Sequence, residues 1–525
     1  MTNSENSHFF LDPQYYDAVI FDLDGVITRT ASVHAAAWKR LFDDYLQQRG
    51  ERSGDEFSPF EIETDYRLYV DGIPRYEGVR KFLASREIVL PWGSPDNAPG
   101  METVCGLGNR KNEYFQKHLK ENGVEVYPGT VDLLFRLREA GVRRGVISAS
   151  RNCQAVLQAA GLEELFEARV DGVVAEELQL PGKPAPDVFL EAARRLEARP
   201  ARSVIVEDAL AGVEAGAAGQ FACVIGVDRT GHGSDLRQSG ADVVVADLAQ
   251  VSMPLQQQPA EGLPRVLDRL PELTLRLAGR QPAVFLDYDG VLTPIVPRPE
   301  QAVITPAMRQ AVRTLAERCP VAVVSGRDLP DVRQMVGIEE IVYAGSHGFD
   351  IAGPAGAHLE YAQGVDYLPR LEQAQAQLTE RLAPLTNARL ERKRFAVAIH
   401  FREVAPEQVA AVEKAVDEVL AAVGGLRKTG GKKIFELRPD IDWDKGKAVQ
   451  FLLERLGLDR PEIMPIYLGD DLTDEDAFCG LQGRGLGLLV RDEPRPTCAV
   501  YAFEGSGEVE RFLVGLAARL EGEGR

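Results

Sequence analysis

A short apolar run that ends in two carboxylates and a glycine occurs twice in this chain. AVIFDLDGVIT spans Ala18 to Thr28, and AVFLDYDGVLT spans Ala283 to Thr293. Runs of β-favouring residues without polar alternation predict strands buried on both faces, as in a parallel sheet. A buried strand that ends abruptly in acid leaves few options. Its aspartates must emerge at the carboxyl edge of the sheet, where open α/β sheets place their ligands. A lone Asp-Gly reads as a turn. Two copies, each followed by the same ordered elements, read as two sites.

After Asp22 come VISAS, with Ser148 and Ala149, then Gly182-Lys183-Pro184, then VIVED, ending in Glu207 and Asp208. After Asp287 come VAVVSGR, with Ser325, Gly326 and Arg327, then Lys445-Gly446, then IYLGDD, with Asp470. The order aspartates, hydroxyl, lysine, acid suits phosphoryl transfer, which needs in-line positioning and neutralised equatorial oxygens. Asp22 or Asp287 can attack phosphorus and carry it as an aspartyl phosphate. Asp24 or Asp289, two residues on, can protonate the leaving oxygen and then activate water. The hydroxyl and lysine bind phosphate, and the last acid joins the first aspartate in an all-oxygen site suited to one Mg²⁺ per core. Without a cation, a carboxylate would approach a phosphate dianion against like-charge repulsion.

The remaining composition narrows the setting. The chain has 525 residues, 60 basic against 80 acidic, and a formal charge of −20. The length predicts two to four domains, and the acidic excess argues against nucleic acid or an anionic membrane as partner. The six cysteines, Cys105, Cys153, Cys223, Cys319, Cys479 and Cys498, show no CxxC spacing, which predicts neither a zinc site nor a disulfide framework and points to a reducing compartment. The first residues hold no basic segment followed by an apolar one, and no apolar run reaches the roughly 18 residues of a bilayer span. The expectation is a soluble cytoplasmic protein.

Together the four elements resemble, in both halves, the haloacid dehalogenase superfamily of aspartate-nucleophile phosphotransferases. The resemblance implies two Rossmann-like α/β cores, each a parallel sheet with helices on both faces. Spacing separates the halves. From Asp24 to Ser148 is 124 residues and from Ser148 to Lys183 is 35, whereas Asp289 to Ser325 is 36 and Ser325 to Lys445 is 120. The long insertion has changed places, and each is long enough for a small packed cap. HAAAWKRLF from His34 and NEYFQKHL from Asn112 predict an all-helical cap over about 34–118, inserted after the first strand. FAVAIHFR from Phe395 and EQVAAVEKAV from Glu407 predict an α/β cap over about 360–432, between the hydroxyl and lysine motifs. The domains are expected at 15–245 and 279–520. They flank a polar, proline-punctuated linker at 246–278 with a helix from Arg265 to Leu277.

In the second half ERK at 391–393, HFR at 400–402 and KKIFELRP at 432–439 resemble the cap signature of trehalose-6-phosphate phosphatases. So do SGR at 325–327, GSHG at 345–348 and GDDLTDEDAF at 469–478. By that resemblance Asp287 is nucleophile and Asp289 acid/base. Mg²⁺ sits on Asp287, Asp289 and Asp470 with Asp474 in support, and Ser325, Gly326, Arg327 and Lys445 bind phosphate. Glu391, Lys393, His400, Arg402, Glu436 and Arg438 would hold sugar. From the residues alone, Glu391, Lys393 and Glu436 offer both donors and acceptors for hydroxyls, while a solvated strand face is the plainer reading of the first two. His347 reads equally as a turn residue or a functional one.

The first half is similar to the β-phosphoglucomutase branch, through SASRN at 148–152, GKPAPD at 182–187 and EDALAGVEAG at 207–216. His34 before Ala37-Trp38, Arg75 after Asp71-Gly72, and Lys111-Asn112 match within the cap. The likeness implies Asp22 as nucleophile, Asp24 as acid/base, and metal on Asp22, Asp24, Glu207 and Asp208. Phosphate would lie on Ser148, Ala149 and Lys183, and sugar on His34, Arg75, Lys111 and Asn152. Asp71 departs from the pattern, standing where a basic residue is expected. The expected activities are trehalose 6-phosphate hydrolysis in the second half and a sugar-phosphate mutase or phosphatase in the first, β-glucose 1-phosphate being one candidate substrate. The alternatives for the first half are a general sugar phosphatase and a non-catalytic sugar-phosphate sensor, the latter opposed by its complete set of catalytic residues.

Overall fold

The computed structural model describes residues 9–53, 58–296, 298–354, 362–431 and 433–523. The cap limits expected at 360 and 432, and Lys432 itself, lie outside the described residues. The chain forms two compact units, Met1–Gln256 with Thr274–Gly279, and Gln257–Leu273 with Arg280–Arg525.

The first unit is built on β1 (Ala18–Asp22), buried at all five positions. Val19 and Phe21 face one apolar cluster while Ala18 and Ile20 face another, so the uninterrupted apolar run fills two layers at once. Around it stand β2 (Arg143–Ile147), β3 (Ala168–Val170), β4 (Ser203–Glu207), β5 (Cys223–Val227) and β6 (Val243–Val245). They form one parallel sheet in the order β3-β2-β1-β4-β5-β6. This is the doubly wound order, with its switch point at β1, and a crevice opens there beyond the carboxyl ends of the strands. Between β1 and β2 is an all-helical cap of α1 (Thr30–Ser53), a π-helical stretch Ile62–Val70, α2 (Arg75–Ser85) and α3 (Val104–Asn122). The cap has its own core, in which Phe42 lies 4.1 Å from Phe82 and 5.3 Å from both Trp38 and Phe60 between ring centroids.

The second unit repeats the plan with β7 (Gln281–Leu286), β8 (Val321–Val324), β9 (Val342–Gly345) and β10 (Asp350–Ala352). Its cap strands are β11 (Arg389–Lys393), β12 (Ala396–His400), β13 (Leu426–Gly431) and β14 (Ile434–Pro439), and β15 (Ile463–Gly469), β16 (Leu486–Val490) and β17 (Tyr501–Phe503) complete the core. The core order is β10-β9-β8-β7-β15-β16-β17, parallel except for the edge strand β10. The cap is an antiparallel sheet β11-β12-β14-β13 with helices α4 (Leu368–Leu382) and α5 (Pro406–Val423), closed over Leu371, Leu378, Val397, Ile399, Val416 and Leu437. Helix α6 (Lys445–Arg455) then returns the chain to the core, and α7 (Glu475–Leu481) follows β15.

Two expectations are revised. The helix anticipated from Arg265 to Leu277 is a 3₁₀ turn at Val266–Asp268 and a separate helix at Leu270–Arg276. Pro271 is tolerated in the first turn of a helix but not in the interior of one that would start at Arg265, where it would remove a hydrogen bond and clash with the turn before it. The expectation that the cysteines form no disulfide is also corrected. Cys479 and Cys498 are bonded, with Cα atoms 5.1 Å apart across a separation of 19 residues, while the other four are buried and free. The pairing joins α7 to the segment after β16, a tertiary proximity that short-range spacing does not encode. Among the described residues no helix is long and apolar enough to cross a membrane.

Phe42→Ala removes the centre of the helical cap's aromatic cluster and should cost about 3–5 kcal/mol. In calorimetry this appears as a lowered transition for the N-terminal unit and an unchanged one for the C-terminal unit.

Candidate active sites

Pairing register places the site residues. Asp22 pairs with Ile147, so Ser148 follows directly beside it, and Leu286 pairs with Leu468, which sets Asp287 opposite the end of β15. In the first unit Lys183 donates to Asp22 Oδ1 at 2.5 Å and to Glu207 Oε1 at 2.9 Å. In the second Lys445 donates to Asp287 Oδ2 and Asp474 Oδ1, both at 2.7 Å. All six side chains are buried. In each site one cation lies between the first aspartate and a second acid.

The second acid reaches this position by different routes. Glu207 is the last residue of β4, and a Cβ on Gly212, five residues on, would collide with its carboxylate. In the other unit the strand ends in Gly469, and a Cβ there would collide with Asp474, five residues on. Acid and glycine have exchanged places, so Glu207 corresponds to Asp474, and Asp208 to Asp470. Motif order alone, which names only a final acid in each half, does not give this correspondence. The Glu…Gly against Gly…Asp spacing was the available signal. Both turn glycines are required: Gly25 at φ +87° and Gly290 at φ +78° have left-handed backbones, and a Cβ on either would run into Asp208 or Asp470.

Asp22, Glu207 and Asp208, and likewise Asp287, Asp470 and Asp474, bring carboxylate oxygens within 4.8 Å of one another. Oε2 of Glu207 is buried with no hydrogen-bond partner. Burial and mutual repulsion raise every acid in both clusters, Glu207 and Asp470 to about 8. Three hard oxygen donors with excess negative charge fit a divalent cation of the Mg²⁺ type. Asp474 is held further by Tyr467 Oη at 2.6 Å and by the amides of Asp470 and Asp471 at 2.9 and 3.0 Å, a buried tyrosine that no motif announced.

The second aspartates are held differently. Asp24 accepts from Ser148 Oγ at 3.3 Å and from Thr30 Oγ1, and His34 Nε2 is 3.4 Å away. His34 Nδ1 meets Lys111 Nζ at 2.5 Å, and the imidazole rests on Phe115, centroids 4.0 Å apart. Burial holds His34 well below its usual range and pulls Lys111 down to about 7 against the attraction of Asp24. Asp289 is instead clamped by Arg327, whose Nε and Nη2 each donate at 2.7 Å. Asn152 bonds Asn112 at 2.7 Å. A cavity of about 500 Å³ opens over Asp22 and Asp24 and is lined also by His34, Arg75, Lys111, Ala149 and Asn152. Asp71 lines it too, raised to about 6 by burial and by Asp22.

In the second unit Lys393 Nζ donates to Glu436 at 2.6 Å and to the Gly326 carbonyl at 3.2 Å, joining the cap to the loop after β8. Arg438 bonds Glu436 at 2.9 Å and His347 Nε2 at 2.6 Å. Burial opposes its ionisation, yet His347, Lys393 and Arg438 hold Glu436 well below the usual carboxylate range. His347 is lowered to about 3 by burial and Arg438, and it occupies a left-handed backbone at φ 59°, ψ 31°. Such strain in a non-glycine residue marks a position fixed by its surroundings, here against Gly326. Glu391 pairs with His400 at 2.7 Å on the neighbouring strands, and Arg402 is exposed in the turn beyond. Arg394, which the motifs passed over, ties the cap to Asp328 through its amide at 3.0 Å and to Asp350 at 2.8 Å.

Fold, turn glycines, bridging lysines and acid clusters define two haloacid dehalogenase-type cores in tandem. A haloacid dehalogenase-like hydrolase family matches residues 16–220 and the trehalose-phosphatase family matches residues 285–501. A trehalose-phosphate phosphatase of Mycobacterium tuberculosis is 44% identical over 338 residues, 64% of this chain and 86% of that protein. That of Mycobacterium leprae is 41% identical over 406 residues, 74% of this chain and 92% of its own. The chain belongs to the trehalose-phosphatase family. An uncharacterized glycosyl hydrolase of Mycobacterium tuberculosis is 43% identical over 97% of this chain, which spans only 38% of that protein's length. The solved β-phosphoglucomutase of Clostridium difficile is 27% identical over 45% of this chain and 93% of its own, with a TM-score of 0.36.

Acids raised on folding bind protons more tightly in the native state, so their contribution is present at low pH and lost as pH rises through the native value. Without divalent cation, both units should therefore lose thermal stability as pH rises from about 5 to 8, the window set by Glu207 and Asp470. A divalent cation competes with these protons and should raise the melting temperature more at pH 8 than at pH 6, measured by calorimetry with and without chelator.

Proposed function

We infer that the C-terminal unit hydrolyses trehalose 6-phosphate to trehalose and phosphate through an aspartyl phosphate on Asp287. The observation that carries this reading is the cap's polar set, Lys393, Glu436 and Arg438, brought against Gly326 of the phosphate loop and His347 of the turn after β9. Charged donors beside a buried carboxylate suit a sugar's hydroxyls, and their contact with the phosphate loop suits a sugar carrying phosphate. Two of the three protons on Lys445 are engaged by Asp287 and Asp474, leaving one for a phosphate oxygen beside Ser325. Asp289 would give its proton to the leaving sugar oxygen and then take one from water, so its pair with Arg327 must first open. Asp287, Asp470 and Asp474 would hold Mg²⁺, with the Asp289 carbonyl, and the ion would neutralise charge between nucleophile and phosphate dianion.

For the N-terminal unit we infer transfer from a sugar phosphate to Asp22, with Asp24 as acid/base, Lys183 and Ser148 on phosphate, and His34 and Lys111 positioning Asp24. Asp71 favours release to water over a mutase cycle, because a bisphosphate would bring two dianions into a cavity that already holds this extra acid. This reading carries with it a cytoplasmic protein acting on small sugar phosphates, without nucleic acid or membrane as partner.

Asp287→Asn should cut phosphate release from trehalose 6-phosphate by about three orders of magnitude or more with unchanged circular dichroism. Full activity in that variant would refute the nucleophile. Lys393→Ala removes charged hydrogen bonds and should raise KM about 10- to 100-fold. With β-glucose 1-phosphate offered to the Asp287→Asn chain, free glucose and phosphate support hydrolysis by the first unit, and glucose 6-phosphate as product supports a mutase instead.

A further inference from the structure

The helical cap carries a feature that phosphoryl transfer at Asp22 does not use. Between α2 and α3 the chain runs through residues 86–103 without helix or strand, longer than joining two adjacent helices requires. The segment is nevertheless anchored. The amides of Val104 and Cys105 bond the carbonyls of Pro91 and Trp92 at 2.9 and 3.0 Å, and Asn109 Nδ2 bonds those of Pro95 and Asn97, both at 2.9 Å. This holds Trp92 at the wall of the cavity that contains Asp22 and Lys183, although the residue is 44% exposed. A half-exposed tryptophan adds little to a core, so its placement calls for another explanation.

Tyr76 lines the same cavity, its ring centroid 6.4 Å from that of Trp92 at an interplanar angle of 74°. Its hydroxyl donates to Asn109 Oδ1 at 2.9 Å, the Arg75 guanidinium covers its ring at 5.0 Å, and Gly108 leaves the space it occupies, since a Cβ there would lie 2.7 Å from the ring. The Tyr76 ring and the backbone that carries Trp92 are thus held in place before any ligand arrives. His34, in contact with Asp24, and Lys111, bonded to His34, wall the part of the cavity beside Asp24. Trp92 and Tyr76 come from a different stretch, the loop before α3 and the first turn of α2.

We propose that Trp92 and Tyr76 form a subsite for a second sugar ring, so that the N-terminal unit takes a phosphorylated disaccharide in preference to a hexose monophosphate. The proposal rests on the reading of Asp22 as acceptor of a sugar's phosphoryl group. A pyranose has an apolar C–H face and a hydroxyl edge. A rigid aromatic ring receives the first at small entropic cost, and Arg75, Glu77 and Asn112 in the cavity lining supply donors and acceptors for the second.

The test uses the full chain carrying Asp287→Asn, which silences the C-terminal centre. Phosphate release is measured on trehalose 6-phosphate, maltose 6′-phosphate and sucrose 6-phosphate, and on glucose 6-phosphate and β-glucose 1-phosphate. At least one disaccharide phosphate should exceed both hexose phosphates about tenfold in kcat/KM. Trp92→Ala should then raise KM for that disaccharide about three- to tenfold at nearly constant kcat, leave hexose phosphates unchanged, and be rescued by Trp92→Phe. Hexose phosphates handled as well as every disaccharide, or a Trp92→Ala chain indistinguishable from its parent, overturns the subsite while leaving Asp22 in its role. If no sugar phosphate is turned over beyond an Asp22→Asn, Asp287→Asn control, the underlying reading and the subsite fall together.

Discussion

Buried negative charge at the end of a parallel sheet is the constraint around which both units are organised. Asp22, Glu207 and Asp208 crowd one strand edge and Asp287, Asp470 and Asp474 the other, each against a single buried lysine. One cation cannot balance three carboxylates, and burial makes the surplus expensive, so the acids retain protons above their ordinary range. The negative charge left over suits a divalent metal ion. Removing one partner from such a buried pair costs about 3–5 kcal/mol, so the residues that prepare the chemistry also strain the fold.

The caps answer a different physical problem. The catalytic edge of an open sheet faces water, and a phosphoryl-aspartate is lost to water unless access is controlled. The first unit places a helical cap with its own aromatic core over the edge. The second places a four-stranded sheet there, tied down by Arg394 to Asp328 and Asp350 and by Lys393 to Gly326. In that unit Lys393, which we propose contacts the sugar, also holds the cap against the core, so on that reading ligand recognition and cap position depend on the same contacts.

Much of this was legible in the residues themselves. Both sheets, the four ordered elements and the character of each cap follow from apolar runs such as AVIFD and FAVAI and from where the long insertions fall. What stayed hidden were contacts that no motif spacing encodes: Tyr467 on Asp474, seven residues on, Arg394 on Asp328, and the Cys479–Cys498 bond. His347 could be noticed but not decided, because its role depends on a left-handed backbone and on Arg438, 91 residues away. The helix proposed across Arg265–Leu277 failed for a local reason, Pro271, that the pattern already contained.

The exchange of acid and glycine between Glu207/Gly212 and Gly469/Asp474 has an evolutionary corollary. A chimera that transplanted only the final acidic strand from one unit into the other would assemble two carboxylates at one locus or none at all. Each intermediate is impaired, the first by electrostatic crowding and the second by loss of the counter-ion to lysine. The two units can therefore differ in cap while each stays locked, in its own version, at the smallest and most buried part of the machine.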